Sequence, residues 1–451
     1  MKHILYFLSL SAALCAPLSA STLVSVDVAS AMLKQHEQHF EQRIVKVAPN
    51  IYTAVGYHGA TSSMIVGEDG VIIIDTLMGP TSANNALIDF RKHSTKPVKA
   101  IIYTHSHGDH TGGASTFSQG QQVEVIGHAN MGNHHGTDKV LDVVMAKRET
   151  RQFGRLLEPE YQSNRGVAQA ITIDHDRGKG FIPPSLKIHQ NYKTTIAGID
   201  IEIYPAAGET SDAMFIWLPN EQVLFSGDNF YQAFLNLYAI RGTPYRDLRI
   251  WSESVATMAT FEPNVLVGGH TSPILGQVAA TQALLDYSEA IASVYEQTTA
   301  GMNKGLDPVT IAQTIKLPTH LQNKPYLTEF YGTVSHASRA IYAGMLGWFD
   351  GNPTHLNPLS NKVMAEQLAL LAGGHDKLMI QLDKAMKIKN HQWALILTDH
   401  LSYLDDLDKT QVVKAQIFAL RALAAQEYNA PNRNYYFSYA AELERKQGNL
   451  N

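Results

Sequence analysis

One ten-residue segment, 104–113 (THSHGDHTGG), carries three histidines and an aspartate that could act together on metal ions. It directly follows an apolar run typical of a buried strand. Because His105 and His107 are two residues apart, an extended backbone points both the same way, and Asp109 and His110 can turn toward a second ion. Imidazole and carboxylate ligands suit Zn²⁺ and also Mn²⁺ or Fe. The alternative is a polar surface loop whose histidines have no shared role.

Three further donor-type side chains come later in the chain, each shortly after an apolar run. They are Glu209, Asp228 and His270. Taken singly, each is as compatible with a polar loop as with a metal ligand. Taken with the first cluster and in this order, they predict that several strand ends converge on one metal site.

The first cluster has the pattern H-x-H-x-D-H, and the chain resembles the metallo-β-lactamase superfamily. A narrower resemblance, to the alkylsulfatase family, rests on Glu209, where most superfamily members have a histidine, and on three longer segments. These are 236–247 (NLYAIRGTPYRD), 329–336 (EFYGTVSH) and 346–353 (LGWFDGNP). The resemblance runs from about residue 40 to about residue 445.

The resemblance implies an α/β fold, an αββα sandwich with two zinc ions at one edge, followed by an all-α helical dimerisation domain. The implied ligands form two sets that share a bridging carboxylate. They are His105, His107 and Glu209 for one ion, Asp109, His110 and His270 for the other, and Asp228 between them.

The same resemblance implies that Asn236 and Arg241 bind sulfate oxygens and that His336 closes over the pocket; Asp109 is counted with these three as catalytic. The residue types agree, because a guanidinium forks two hydrogen bonds to neighbouring oxygens and an amide donates another. His336 is suited to donating a proton to a leaving alkoxide or to holding sulfate. The alternatives are a surface salt bridge for Arg241, a turn for Asn236 and an interdomain contact for His336.

Two departures from the family bear on these expectations. Alkylsulfatases often carry glutamate at the bridging position, and the shorter carboxylate of Asp228 is expected to alter the metal spacing. Longer members add a C-terminal sterol-carrier-like domain that receives the alkyl tail. This chain is expected to lack that domain, which argues against long-chain detergent substrates.

Apolar runs and glycine or proline punctuation predict the elements that position these residues. Runs at 71–75 and 98–103 are typical of strands buried on both faces of an α/β sheet. Residues 130–190 predict a helix with long loops, and 194–203 predict a strand. From about residue 276 helical spacing dominates, as in a tetratricopeptide-like array or a plain bundle. The predicted domains are a signal peptide (1–20), a catalytic domain (21–285) and a helical dimerisation domain (286–451).

The chain of 451 residues has a formal net charge of −5, which disfavours nucleic-acid binding and also disfavours a polybasic surface that would bind membranes. Residues 1–20 predict a secretory signal, and therefore a periplasmic or secreted protein without stable membrane insertion. The alternative for this segment is a buried N-terminal helix. Its Cys15 is the single cysteine of the chain, so histidines and carboxylates must hold any metal.

These features predict a zinc-dependent sulfuric ester hydrolase that cleaves small-molecule alkyl sulfate esters and works as a homodimer. A monomer with a helical lid is the alternative assembly. A second hypothesis keeps both metals but changes the substrate to a lactam, thioester or phosphate ester. A third is a binding or scaffolding protein with a vestigial site, which the complete ligand set disfavours.

Overall fold

A computed structural model describes residues 23–131, 141–170 and 175–448, so the expected signal segment lies outside the described residues. The strands are β1 (Arg43–Ala48), β2 (Ile51–Val55), β3 (Ser62–Val66), β4 (Val71–Ile74), β5 (Val98–Ile102), β6 (Glu124–His128), β7 (Leu186–Ile188), β8 (Tyr192–Ile196), β9 (Ile199–Pro205), β10 (Met214–Leu218), β11 (Val223–Gly227), β12 (Val265–Gly268) and β13 (Ile274–Leu275). The α-helices are α1 (Val26–His36), α2 (Pro80–Phe90), α3 (Gly108–Thr111), α4 (Ala114–Ser118), α5 (Asp142–Gln152), α6 (Leu248–Ala259), α7 (Gln277–Asn303), α8 (Pro308–Thr314), α9 (Val334–Leu346), α10 (Asn361–Ala372), α11 (His375–Lys387), α12 (His391–Ser402), α13 (Lys409–Gln426) and α14 (Ala430–Gly448).

The strands form two mixed sheets. The first has seven strands in the order β1 to β7, with β4 to β7 parallel to one another. The second has six strands in the order β13-β12-β11-β10-β9-β8, in which β11 and β12 are parallel. Inner faces of both sheets share one apolar core, which makes the two sheets a sandwich.

Strand β4 shows how the apolar sequence specifies this arrangement. Ile72 and Ile74 point into the core between the sheets, while Val71 and Ile73 point to the outer face. All four side chains are buried, and each contributes about 1.5–3 kcal/mol on burial. The uninterrupted apolar run therefore has a physical cause, because this strand has no solvent-facing side.

Helices cover both outer faces of the sandwich. Leu87 and Phe90 of α2 and Phe117 of α4 pack on the first sheet. Trp251 of α6 and Tyr287 of α7 belong to the core that covers the second sheet. The αββα sandwich predicted from the resemblance is thereby confirmed.

The rest of the described chain, from α8 onward, is helical, which confirms the all-α region. Consecutive helices α10 to α14 pack on one another in chain order. The last helix also reaches the sandwich, because Arg151 of α5 forms a bidentate ion pair with Glu442 of α14 at 2.7 and 2.8 Å. In the described part of the chain, no helix combines the length and apolar character that a membrane crossing requires.

One strand differs from the sequence-based expectations. The single strand expected at 194–203 is a hairpin, β8 and β9, because Ala197 and Gly198 both have positive φ angles of 51° and 77°. Two consecutive residues in that conformation make the tight turn that joins antiparallel strands. The domain division predicted at residues 285 and 286, both of which belong to α7, stays a prediction.

Candidate metal centre

The first donor group gathers His105, His107, Glu209 and Asp228 at one edge of the sandwich. His105 Nε2 lies 3.9 Å from Glu209 Oε2 and 3.7 Å from Asp228 Oδ2, and His107 Nδ1 lies 3.6 Å from Glu209 Oε2. These separations are too long for hydrogen bonds. They suit atoms that surround a shared cation, since zinc sits about 2.0–2.2 Å from nitrogen and oxygen ligands.

The second donor group consists of Asp109, His110 and His270, and it meets the first group at Asp228. His110 Nε2 lies 3.2 Å from Asp228 Oδ1, and His270 Nε2 lies 3.2 Å from Asp228 Oδ2. His270 Nε2 is also 3.7 Å from Asp109 Oδ2. Asp228 therefore stands between the groups, the position that the resemblance implies for a bridging carboxylate.

The strand ends explain why distant residues meet here. His105 follows β5, Asp228 follows β11 and His270 follows β12, and the parallel strands of a sheet end at the same edge. Position 269 accepts only glycine, because a Cβ at Gly269 would lie 2.0 Å from Asp228 Oδ1. The close approach of the two strand ends thus requires glycine.

The residues fit a pair of divalent cations by their unsatisfied atoms. Among the described residues, four buried donor atoms in these groups have no hydrogen-bond partner. They are His105 Nε2, His110 Nε2, Glu209 Oε2 and Asp228 Oδ1. Leaving one buried polar atom unpaired costs about 1–3 kcal/mol, so four that converge on one place indicate a site for cations.

The other ring nitrogens are held in a way that turns each Nε2 toward the site. His110 Nδ1 lies 2.7 Å from an Asp75 oxygen, and His270 Nδ1 donates to the Gly59 carbonyl at 2.7 Å. The Thr104 hydroxyl donates to Asp75 and therefore accepts from His105 Nδ1 at 3.0 Å. With each Nδ1 protonated, each Nε2 offers a lone pair to a metal.

Asp75 has a central place here although the sequence suggested no role for it. It directly follows β4, and its φ of 55° is unusual for a residue other than glycine. Its carboxylate accepts from the Thr104 amide and hydroxyl, both at 2.8 Å, as well as from His110. The sequence feature that could have identified Asp75 is a carboxylate directly after a wholly apolar strand.

The charges of the two groups draw positive charge into the site. Burial, and after it the neighbouring His110, lower the pKa of His105 to about 3. Burial also disfavours charge on His110, but Asp228 and Asp75 outweigh it and raise the pKa of this histidine. Burial raises the pKa of Asp228, yet three nearby histidines hold it well below its ordinary value.

A cleft of about 750 Å³ opens over both donor groups. Its walls include five arginines, Arg155, Arg165, Arg177, Arg241 and Arg246. Of the three residues predicted to contact the sulfate, Arg241 lines this cleft. Its amide is fixed by a 2.9 Å hydrogen bond to the side chain of Gln152, at the end of α5.

Asn236 and His336 are not among the described residues that line the cleft. Asn236 is buried, with its amide bonded to the Tyr231 hydroxyl at 2.8 Å and its side-chain nitrogen without a partner in the described chain. His336 stands in the first turn of α9, where its amide donates to Thr333. Burial lowers the pKa of His336 to about 4, so its ring is neutral at neutral pH. The roles assigned to both residues stay predictions.

Arg246 is a functional candidate that the sequence reasoning missed, although it stands in the quoted segment 236–247. It is 4% exposed, and its Nη1 lies 2.9 Å from Glu209 Oε1. It also donates to the carbonyl of Asn236. It immediately precedes Asp247, the N-cap of α6, and it lines the cleft. Arg246 therefore orients Glu209 and leaves Oε2 directed at the first donor group.

Comparisons with known proteins cover both parts of the chain. Residues 55–270 match the model of the metallo-beta-lactamase superfamily, and residues 307–446 match the alkyl sulfatase dimerisation model. The chain is 34% identical over 394 residues to a linear primary-alkylsulfatase from a strain of Pseudomonas sp., across 85% of this chain and 74% of that protein. It is 30% identical to an (R)-specific secondary-alkylsulfatase from Pseudomonas sp., across 89% of this chain but 62% of that protein.

A solved structure agrees with these matches. The stereoselective inverting sec-alkylsulfatase from Pseudomonas sp. superposes with a TM-score of 0.83 at 28% identity, covering 94% of this chain and 69% of that one. The likeness thus extends over the sandwich and the helical region together, while the chain spans only part of the length of these relatives.

Proposed function

The chain belongs to the alkylsulfatase family of the metallo-β-lactamase superfamily, and on this premise we propose that it is a dinuclear zinc hydrolase of alkyl sulfate esters. The reaction consumes one water and releases an alcohol and hydrogen sulfate. One observation carries the proposal: two donor groups meet at Asp228 beneath a cleft that also contains the guanidinium of Arg241. The site thus combines ligands for two cations with a group that recognises an oxyanion.

The zinc ligands in this proposal are the seven residues of the two donor groups, with Asp228 shared. Zinc supplies activation of water and stabilisation of negative charge on oxygen. The chain's own contribution is to hold the ligands in place. Asp75 and Thr104 keep the histidine rings oriented, and Arg246 does the same for Glu209. Imidazole and carboxylate donors without a thiol also bind manganese or iron. The donor set therefore does not identify the metal, and zinc is proposed along with the reaction.

Arg241 is proposed to bind two oxygens of the sulfate, because a planar guanidinium matches that spacing and lysine does not. Asn236 is proposed to assist through its unpartnered side-chain nitrogen, and His336 through its neutral ring. Replacing either residue by alanine tests these two roles separately. Unchanged kinetics for sulfate esters would remove that residue from the mechanism.

The test of the function is sulfate release from alkyl sulfates of increasing chain length, with and without a chelator. We expect chelator-sensitive release from the wild-type protein. His107→Ala and Glu209→Ala should lose both metal and activity, and Arg241→Ala should raise KM with the metal retained. If protein with two bound zinc ions releases no sulfate, the proposal is wrong, and a lactam, thioester or phosphate ester on the same site becomes the better hypothesis.

We also propose that the protein is a homodimer formed through its helical region, for which the match to the dimerisation model is the support. Several large apolar side chains of that region face solvent: Trp348, Leu370, Leu371, Ile388 and Phe418. Leu371 is 84% exposed, as is Val278 on α7. Sedimentation should give a dimer mass that Leu371→Glu lowers and Val278→Glu does not. A monomeric wild-type protein would contradict the proposal.

The division into domains at residues 285 and 286 stays a prediction.

Export to the periplasm or medium is a further proposal, supported by the composition of residues 1–20 alone. Mass spectrometry of the protein from its native cell should find an N-terminus at Ser21. A mature protein that retains Met1 would contradict export by this route.

A further inference from the structure

Four arginines form a cluster in the cleft beside the donor groups. We call Arg155, Arg165, Arg177 and Arg241 the arginine cluster; all four line the cleft. Three of them surround one aromatic ring: the guanidinium carbons of Arg155, Arg165 and Arg241 lie 5.8, 5.7 and 6.0 Å from the centre of the Phe153 ring. Such convergence in one wall of a cleft indicates a binding surface rather than scattered surface charges.

Among the described residues, one carboxylate forms ion pairs with the cluster. Glu149 Oε1 accepts from Arg155 at 2.5 Å and from Arg177 at 2.9 Å. Within the described residues, Arg165 and Arg241 have no ion pair, and Arg165 donates instead to the Gln169 carbonyl. Four guanidiniums with one ion-paired carboxylate leave this wall positively charged.

Other carboxylates of the cleft do not remove this positive charge. Three of them belong to the donor groups, and Asp247 is engaged as the N-cap of α6. Asp142 lines the cleft but forms no ion pair with the cluster among the described residues. Burial, with a smaller contribution from Arg155 and Arg177, lowers the pKa of Arg165 to about 10 against the opposing charge of Asp109. The arginines thus repel one another, and an anionic ligand would relieve that repulsion.

An alkyl sulfate ester carries a single negative charge. In the proposed function, Arg241 and the metal centre already bind the sulfate group that carries it. We propose that the preferred substrate bears a second anionic group, a carboxylate or a second sulfate, on its alcohol portion, and that the arginine cluster binds this group through Arg155 and Arg177. This inference rests on the proposed function, because it specifies the substrate class of the same cleft. It places the ester sulfate at the metals and the second anion at the paired guanidiniums beside Glu149.

Three substrates of matched length test the inference on zinc-loaded protein at constant ionic strength: hexyl sulfate, 6-(sulfooxy)hexanoate and hexane-1,6-diyl disulfate. We expect kcat/KM to be at least about tenfold higher for a dianionic substrate than for hexyl sulfate, the effect of one charge-assisted hydrogen bond. The two dianionic arms distinguish a carboxylate from a sulfate as the second group. A ratio near one for both arms, or a preference for hexyl sulfate, would overturn the inference.

Substitutions in the arginine cluster test which residues cause the preference for dianionic substrates. Arg155→Gln and Arg177→Gln should each lower the dianionic-to-monoanionic ratio of kcat/KM about tenfold. Arg249→Gln is the matched control, because Arg249 is an exposed arginine paired with Glu253 at 2.9 Å outside the cleft, and it should keep the wild-type ratio. Equal losses on all three substrates would assign the arginine cluster to the ester sulfate and overturn the inference. Absence of sulfate release from every substrate would instead refute the proposed function itself.

Discussion

Replacing Asp75 by asparagine tests whether hydrogen bonds behind the metal ligands set the affinity for zinc. The Asp75 carboxylate faces three donors: the Thr104 amide on Oδ1, and the Thr104 hydroxyl and His110 Nδ1 on Oδ2. Asparagine has the same shape but offers one oxygen and one NH₂ group. If NH₂ takes the Oδ2 position, His110 must move its proton to Nε2 and lose the lone pair meant for the metal. If NH₂ takes the Oδ1 position, it opposes the Thr104 amide.

The magnitude follows from these two outcomes. Losing a hydrogen bond that orients a metal ligand typically weakens metal affinity about 10- to 100-fold. This range equals about 1.4–2.8 kcal/mol of binding free energy. A donor facing a donor costs a further about 1–3 kcal/mol of the stability of the metal-free fold, because the group is buried. Asp75→Asn should therefore weaken zinc binding about 10- to 100-fold and cost the metal-free fold about 1–3 kcal/mol of stability.

Competition with a chromophoric zinc chelator measures the affinity, and thermal unfolding of metal-free protein measures the fold. Asp69→Asn is the control, since Asp69 is 66% exposed and pairs with Lys99 on the surface. The zinc affinity of Asp69→Asn should stay within about twofold of the wild-type affinity, because an exposed ion pair contributes little to stability. Wild-type affinity in a folded Asp75→Asn protein would refute the reasoning. If that variant does not fold, Thr104→Val removes the hydroxyl shared by Asp75 and His105 and should weaken zinc binding in the same direction.

Arg246→Gln should lower zinc occupancy and turnover because Glu209 loses its 2.9 Å partner, and Arg246→Lys should restore part of both; metal analysis beside kinetics shows whether it does. Gly269→Ala places a Cβ 2.0 Å from Asp228 Oδ1, so bound zinc should fall below two ions per chain, whereas a full complement would contradict the assigned contact. Burial raises the pKa of Glu329 to about 7, so stability from this group is present below its ordinary value near 4.5 and is lost as pH rises through about 7. Glu329→Gln should therefore raise the Tm at pH 8 more than at pH 5, and equal shifts at both pH values would exclude this linkage.

Buried strands were the most predictable part of the fold. Strands with apolar side chains on both faces leave an uninterrupted apolar run, and the runs at 71–75 and 98–103 correspond to β4 and β5. The hairpin between β8 and β9 was not predicted, because its turn uses Ala197 at positive φ and only one glycine. A turn whose conformation is imposed by strand pairing has no distinct signal in its own residues.

Residues at strand ends were also predictable as candidates, since His105, Asp228 and His270 each follow an apolar run that ends at one edge. The residues around them were not. Arg165 and Arg177 come from irregular segments whose path has no periodicity, and Arg246 carries no sign that it will meet Glu209. Convergence of such groups depends on tertiary packing, so it becomes visible only in the structure.

The central claim is that two zinc ions at this site make the chain a sulfatase. The most direct test is a titration of metal-free protein with zinc in which bound zinc and sulfate release from an alkyl sulfate are measured on the same samples. We predict that sulfate release rises with bound zinc, reaches its maximum at two ions per chain and disappears with chelator. Sulfate release from metal-free protein, or none from protein with two bound ions, would contradict it.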